Sequence, residues 1–414
     1  MSALDPQRTV SELKELRALT ATAEGAQRVA WTDIWEQARS WFVDLTAELP
    51  VEVERDEAGN IWTTLHGERP QSIIIGGHLD SVPGGGWLDG SLNVLAGLAS
   101  LRRLGAAGTP ALTVRVVDWA DEEGARFGRS LIGSSACSGN FDPDELRDMR
   151  DSDGTRLADA LAAHDVDIDR ACDAARQLET AVASLELHIE QGPVLERLGL
   201  PLAAVVGTTG IERHRVHFSG QSAHAGSTPM SDRCDPTAAA ARFLLEIREI
   251  ARRGGGVGTV GRVVTIPGIV TAVAGQCIVE VDQRHVEAEP LAAMHAEARR
   301  AGDSIANEER VDIEWEEILR LSPTHFDEEL IALCDEAIHE VAGQSHRMPS
   351  GPGHDAIETA RAGIPTVMMF VQSLRGLSHA KEEDTLEEHI ELSVRALDRL
   401  VDKTMNWALA ANDA

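Results

Sequence analysis

The sequence predicts an α/β protein: a catalytic domain with a central mixed sheet flanked by helices, plus an inserted ferredoxin-like α+β domain. Three observations predict this. Short apolar strand candidates alternate with helix-spaced segments through the first half of the chain. Near Gly207 the texture changes, and GIERHRVHFSGQSAHAG alternates like an exposed antiparallel strand followed by a turn. From there the order is strand, helix, strand, strand, helix, strand, which is that of a split βαβ unit. Residues 209–323 are therefore assigned to the insert, and 1–208 with 324–414 to the discontinuous domain around it.

A chain of 414 residues exceeds one simple core, in keeping with two domains. The net charge of -30 argues against a nucleic-acid partner, which would need a basic surface. No apolar stretch approaches the ~20 residues that span a bilayer. The N-terminal MSALDPQRTVSELKELRAL is charged and lacks the apolar core of a signal peptide. A cytoplasmic protein without a membrane partner is expected. The cysteines, Cys137, Cys172, Cys234, Cys277 and Cys334, are odd in number, widely spaced and without a CxxC. Neither a disulfide framework nor a cysteine zinc site follows, so any bound metal must take His, Asp and Glu.

In chain order, residues 9–48 carry helical spacing, first Val10, Leu13, Leu16 and Leu19, then Ile34, Ala38, Trp41 and Phe42. Val51 to Val53 and Asn60 to Leu65 read as strands around EAGN, and Ser72 to Gly76 as a short buried strand. SLNVLAGLASLRRLG repeats Leu92, Leu95, Leu98 and Leu101 on one helical face, with Ser91 as its expected N-cap. ALTVRVVDWA reads as a strand running into Asp121-Glu122-Glu123-Gly124. Residues 140–182 are polar and read as mostly helical, and Ala183 to Ile189 as a strand delivering His188. In the insert, Pro236 to Arg253 and Glu289 to Glu308 are helices, and Val260 to Ile266, Ile278 to His285 and Val311 to Glu317 are strands. DEELIALCDEAIHEVAG and the strand Pro365 to Val371 return to the first domain, followed by His379.

The stretch IIIGGHLDSVPGGGWLDGSLNVLAG places His78, Asp80 and Asp89 around a glycine-rich turn, and His78 and Asp89 read as metal ligands. His78, Glu122 with Glu123, and His188 lie at or near the ends of three strand candidates, where open α/β sheets place their ligands. Together with Asp89 and His379 they offer imidazole and oxygen donors without sulfur. Such donors suit Zn²⁺ and also Mn²⁺, Co²⁺ or Ni²⁺. A carboxylate can bridge two such ions and leave a position open for hydroxide.

The segments GNIWTTLHG, GGHLDSVPGGGWLDGSLNVLAGL, DEEGARFGRSLIGS, ELHIEQGPVLE, SAHAGSTPM, DQRH, SGPGHDA and GLSHAKEEDT run almost end to end. In them the chain resembles the amidase/hydantoinase-carbamoylase family of the zinc aminoacylase and carboxypeptidase superfamily. That family comprises N-carbamoyl-L-amino-acid hydrolases, β-ureidopropionases, allantoate amidohydrolases and ureidoglycolate amidohydrolases. The resemblance implies two divalent ions, zinc foremost, with His78 and His188 on one, Glu123 and His379 on the other, and Asp89 bridging. It implies Asp80 as the acceptor that fixes the His78 ring, and Glu122 as the general base that activates the attacking water and protonates the leaving nitrogen. His224 would stabilise the oxyanion in the partner subunit's site, making the protein a homodimer through the lid.

Arg284 would clamp a substrate carboxylate, since a guanidinium forks onto that group. Gln191, Gly353 and His354 match substrate-contact positions. The substrate implied is a small ureido or amide molecule with a carboxylate: an N-carbamoyl-L-amino acid, with allantoate, ureidoglycolate or an unusual N-acyl amino acid as alternatives. One departure bears on that choice. The family usually carries asparagine in a segment like NVVPG, where this chain has Thr271-Ala272-Val273-Ala274-Gly275. Thr271 supplies one hydroxyl on a shorter side chain in place of an amide donor and acceptor.

Overall fold

The computed structural model describes residues 4–412. The chain forms two compact units: one runs to Val206 and resumes at Phe326, and the other is Gly207–His325. The first unit contains, in chain order, α1 (Pro6–Thr20), α2 (Asp33–Asp44), β1 (Glu52–Arg55), β2 (Ile61–Leu65), β3 (Arg69–His78), α3 (Ser91–Ala107), β4 (Leu112–Trp119), β5 (Ala181–Ile189) and β6 (Leu202–Thr208). The second unit contributes β7 (Gly210–Ser219), α4 (Pro236–Gly254), β8 (Val257–Ile266), β9 (Gln276–His285), α5 (Ala288–Glu309) and β10 (Asp312–Leu321). The first unit then resumes with α6 (Glu328–Ala342), β11 (Arg347–Ser350), β12 (Thr366–Val371) and α7 (Glu387–Asn412).

In the first unit the strands lie in the order β6-β12-β5-β3-β4-β2-β1, with β11 also pairing β6. The four central strands, β12, β5, β3 and β4, are mutually parallel, and the pairs outside them are antiparallel. The central strands are buried on both faces, which is why LTVRVVDW and SIIIGGH read as near-continuous apolar runs. Ile73, Ile75, Val114 and Val116 enter one core with α1, α3, α6 and α7. Ile74, Val117 and Trp119 enter the other with Trp31, Trp35 and Trp62. The period of two along each strand thus feeds two separate apolar layers.

Two local expectations are corrected. Ser91 is the first residue of α3 and Gly90 its cap, because the Ser91 hydroxyl accepts from Arg28 at 3.0 Å. Residues 140–182 hold only short helical pieces, the longest being a 3₁₀ stretch, Ile168–Leu178. β6 and the long α7 were not anticipated.

The second unit is a four-stranded antiparallel sheet in the order β8-β9-β7-β10, with α4 and α5 on one face. Its first and third strands are central, as in ferredoxin-like folds. α4 is set by its ends: Pro236 opens it, the Asp235 carboxylate accepts from Thr237 N at 2.9 Å, and Gly255 closes it at φ 74°. A small extra pair joins Ala223–His224 to Ala272–Val273. Among the described residues no helix is long and apolar enough to cross a membrane.

Candidate metal centre

The parallel strands place the site. β3 lies between β4 and β5, so His78 at the end of β3, Glu122 and Glu123 just past β4, and His188 near the end of β5 meet at one edge of the sheet. The loop after His78 turns back to bring Asp89 over the same edge. Two features hold that loop. The Arg28 guanidinium donates to Leu79 O at 2.7 Å and to Ser91 Oγ at 3.0 Å, tying the loop's two ends together. Gly90 has φ 64°, and a Cβ there would overlap the His78 ring. Only glycine meets both demands.

His78 and His188 share one orientation. Their Nδ1 atoms lie 3.2 Å from Asp80 O and 2.9 Å from Ile189 O, so each Nδ1–H donates to a carbonyl. Both Nε2 atoms then face Asp89 Oδ1, at 3.7 Å from His78 and 3.0 Å from His188. His379, half exposed and at φ 54°, places Nε2 3.2 Å from Glu123 Oε2 and 3.6 Å from Asp89 Oδ2. Among the described residues the edge holds three donor groups: His78–Asp89–His188 and Asp89–Glu123–His379, which share Asp89, and Glu186–His188–His354, which shares His188 with the first. Glu122 Oε2 sits 3.6 Å from His78 Nε2. The Asp80 carboxylate accepts from Glu122 N at 3.2 Å and Glu123 N at 3.1 Å, while its nearest approach to the His78 ring is 3.5 Å. Asp80 thus grips the Glu122-Glu123 backbone as well as bordering His78.

Electrostatics fit divalent cations. Burial, with Asp355, Glu123 and Asp80 adding and His78 opposing, pushes Glu122 well above the usual carboxyl range. Burial, with Asp89 and Asp80 adding, pushes Glu123 up to about 8. Asp89 goes the other way: burial raises it, but His188, His78 and His379 outweigh burial and hold it far below the usual range. Burial also drives Glu186 and Glu383 up to about 7. His78 Nε2 and Glu123 Oε1 are buried without a hydrogen-bond partner. Buried carboxylates so short of cations, together with unspent imidazole and carboxylate lone pairs, are what a divalent ion satisfies.

The remaining predicted residues divide between the units. Gln191, at φ 56°, donates through Nε2 to Asp89 Oδ2 at 2.9 Å and to Ser378 Oγ at 3.0 Å. His354 is buried, its ring 4.4 Å from that of His188 and its Nε2 2.8 Å from Ser350 Oγ, while Gly353 beside it is exposed. In the second unit, the exposed His224 and Thr271 lie side by side, with Ala225 N donating to Thr271 O at 2.9 Å. Arg284 on β9 is braced by Asp282, Nε to Oδ1 at 2.7 Å.

Sequence reasoning gave no role to Arg28, Ser378 or Glu383. Ser378 Oγ donates to Asp89 Oδ2 at 3.0 Å, and Glu383 Oε1 accepts from Leu88 N and Asp89 N, each at 3.2 Å. Glu383 was within reach, since it belongs to the quoted GLSHAKEEDT. Arg28 carries no local signal.

A parallel α/β sheet ending in a shared-carboxylate His/Asp/Glu centre, with a ferredoxin-like insert, defines the class of protein. The model of peptidase family M20/M25/M40 matches residues 74–403, and the chain belongs to that family. It is 34% identical to an N-carbamoyl-L-amino acid amidohydrolase of Geobacillus stearothermophilus, over 94% of each chain. It is also 34% identical to an allantoate amidohydrolase of Escherichia coli, over 88% of this chain and 89% of that one. A solved hydantoinase/carbamoylase family amidase from Burkholderia multivorans superposes with a TM-score of 0.88 at 31% identity, covering 96% of this chain and 97% of the other.

Proposed function

We propose that this protein, a hydrolase of carbon–nitrogen bonds, cleaves the carbamoyl C–N bond of an N-carbamoyl-L-amino acid at a two-ion centre. The observation that carries the reading is Asp89, the one carboxylate common to two complete donor groups. His78, Asp89 and His188 would hold one ion, and Asp89, Glu123 and His379 the other. Bound there, divalent ions of the zinc kind acidify water and polarise a carbonyl. Glu122, beside His78, takes the proton of the attacking water and returns it to the leaving nitrogen. Asp80 keeps Glu122 and Glu123 in register by gripping their backbone amides. Arg284, braced by Asp282, receives the substrate carboxylate. His224 supplies a donor to the oxyanion from the partner of a homodimer.

The second unit supports such a dimer. β8 is an edge strand, and Val257, Val263 and Ile266 along it are 60%, 49% and 46% exposed. An exposed apolar edge strand favours pairing with a second copy. Allantoate is the second reading, supported by the 34% identity to the Escherichia coli allantoate amidohydrolase, and Thr271 in place of the family's asparagine favours the third, an unusual N-acyl amino acid or amide. The purified protein, loaded in turn with Zn²⁺, Mn²⁺ or Co²⁺, is expected to release ammonia from an N-carbamoyl-L-amino acid panel. Cleavage of allantoate with no release from any panel member would reject the first substrate and establish the second.

A further inference from the structure

One polar cluster interrupts the apolar layer inside the second unit. β7 alternates between faces, and its helix-facing positions include Glu212, His214, Val216 and Phe218. Val216 and Phe218 pack with Phe243 and Met294. Glu212 and His214 are nearly as buried as these apolar neighbours, 7% and 3% exposed. α5 lays the His295 ring over His214, with centroids 4.2 Å apart and 17° between planes. Trp315 of β10 stands edge-on to both rings, at 5.8 and 5.7 Å.

Polar groups in such a layer cost stability unless each is partnered. His214 Nε2 lies 2.8 Å from Glu212 Oε2, and Arg320 Nε reaches both Glu212 oxygens, Oε1 at 3.1 Å and Oε2 at 3.3 Å. These contacts account for Glu212 and His214. They leave His295 Nδ1, which is buried and has no hydrogen-bond partner. The unpartnered nitrogen makes His295 an open donor beside the His–Glu pair.

We infer that Glu212, His214 and His295 form a divalent-cation site, separate from the catalytic centre, that pins α5 to β7. Two imidazoles and one carboxylate, without a thiolate, are a donor set for Zn²⁺ or Co²⁺. Their ligand atoms lie within 4.8 Å of one another. Two nitrogens on a tetrahedral ion are about 3.3 Å apart, given metal–nitrogen bonds near 2 Å. Turning the half-buried His295 ring out of its stack on His214 would bring its nitrogen onto the same ion. Arg320, within reach of both Glu212 oxygens, orients the carboxylate, as partners of ligating carboxylates do.

The test compares full-length wild type with His295→Gln and His214→Gln. Each is stripped with chelator, reloaded with Zn²⁺ and freed of excess metal by gel filtration. Each variant is expected to retain one zinc fewer per chain than wild type, and zinc is expected to raise the melting temperature of stripped wild type more than that of either variant. The comparison is a difference, so it holds whatever the catalytic centre binds. Equal zinc content and equal thermal shifts in wild type and His295→Gln would overturn the site and leave a packed His–Glu pair with a stacked second ring. If His214→Gln fails to fold, His295→Gln decides alone, since its ring is only half buried.

Discussion

At the scale of single residues, the centre depends on side chains whose removal has separable effects. Glu122→Gln keeps the shape but removes the proposed base, so kcat is expected to fall about 10²–10⁴-fold with metal content unchanged. Equal activity in the variant would remove Glu122 from the mechanism. Gly90→Ala has the opposite signature. Its φ of 64° and the His78 ring leave no room for a methyl, so the loop carrying Asp89 must shift. Loss of bound metal and of activity together is expected, read by mass spectrometry of the metal and by ammonia release. The ligand types and Glu122 were legible as residues in motifs. The braces were not: Ser378 and Gln191 reach Asp89 from far along the chain, and no spacing announces such contacts.

At the scale of elements, the parallel strands carry the site and buried ion pairs hold them to the helices. Arg39 of α2 meets Asp118 of β4 at 2.7 Å, with both side chains almost wholly buried. Asp118 also accepts from Leu79 N at 2.7 Å, next to His78. Arg39→Met would leave Asp118 uncompensated, and breaking a buried pair on one side costs about 3–5 kcal/mol. Urea unfolding is expected to show a loss of that size, and a change below about 1 kcal/mol would place the pair among exposed bridges instead. Most elements were legible because their periods were clean. β6, LAAVVGT, is rich in alanine and glycine, which are poor strand formers, and α7 has buried positions spread among many charged ones, so neither stood out. Residues 140–182 looked helical by composition, yet the Trp-rich layer they cover accepts short turns rather than long helices.

At the scale of the whole molecule, a proposed homodimer makes catalysis a property of two chains. Mixing Glu122→Ala with His224→Ala dimers, after subunit exchange, is expected to restore activity, because each heterodimer holds one site with both groups intact. Exchanged heterodimers without activity would confine His224 to its own chain. Chelation is expected to abolish ammonia release and lower the melting temperature, since ions bound only by the folded chain stabilise it by mass action. Failure of Zn²⁺, Mn²⁺ and Co²⁺ alike to restore the chelated enzyme would count against the two-ion centre.

By itself the sequence determined the fold class, the insert and the kind of donor set that the proposed centre uses. Those rest on local properties: strand and helix periods, a change of texture near Gly207, and His, Asp and Glu set at strand ends. Only the tertiary structure decided how the ligands share their work. The parallel order of β4, β3 and β5 brings His78, Glu123 and His188 to one edge. Carbonyl partners on both Nδ1 atoms turn both Nε2 atoms onto Asp89. The same holds for the second cluster, since Glu212 and His214 meet His295 only when α5 packs on β7. A bridging role is a relation in space between residues far apart in the chain, and only packing sets such a relation.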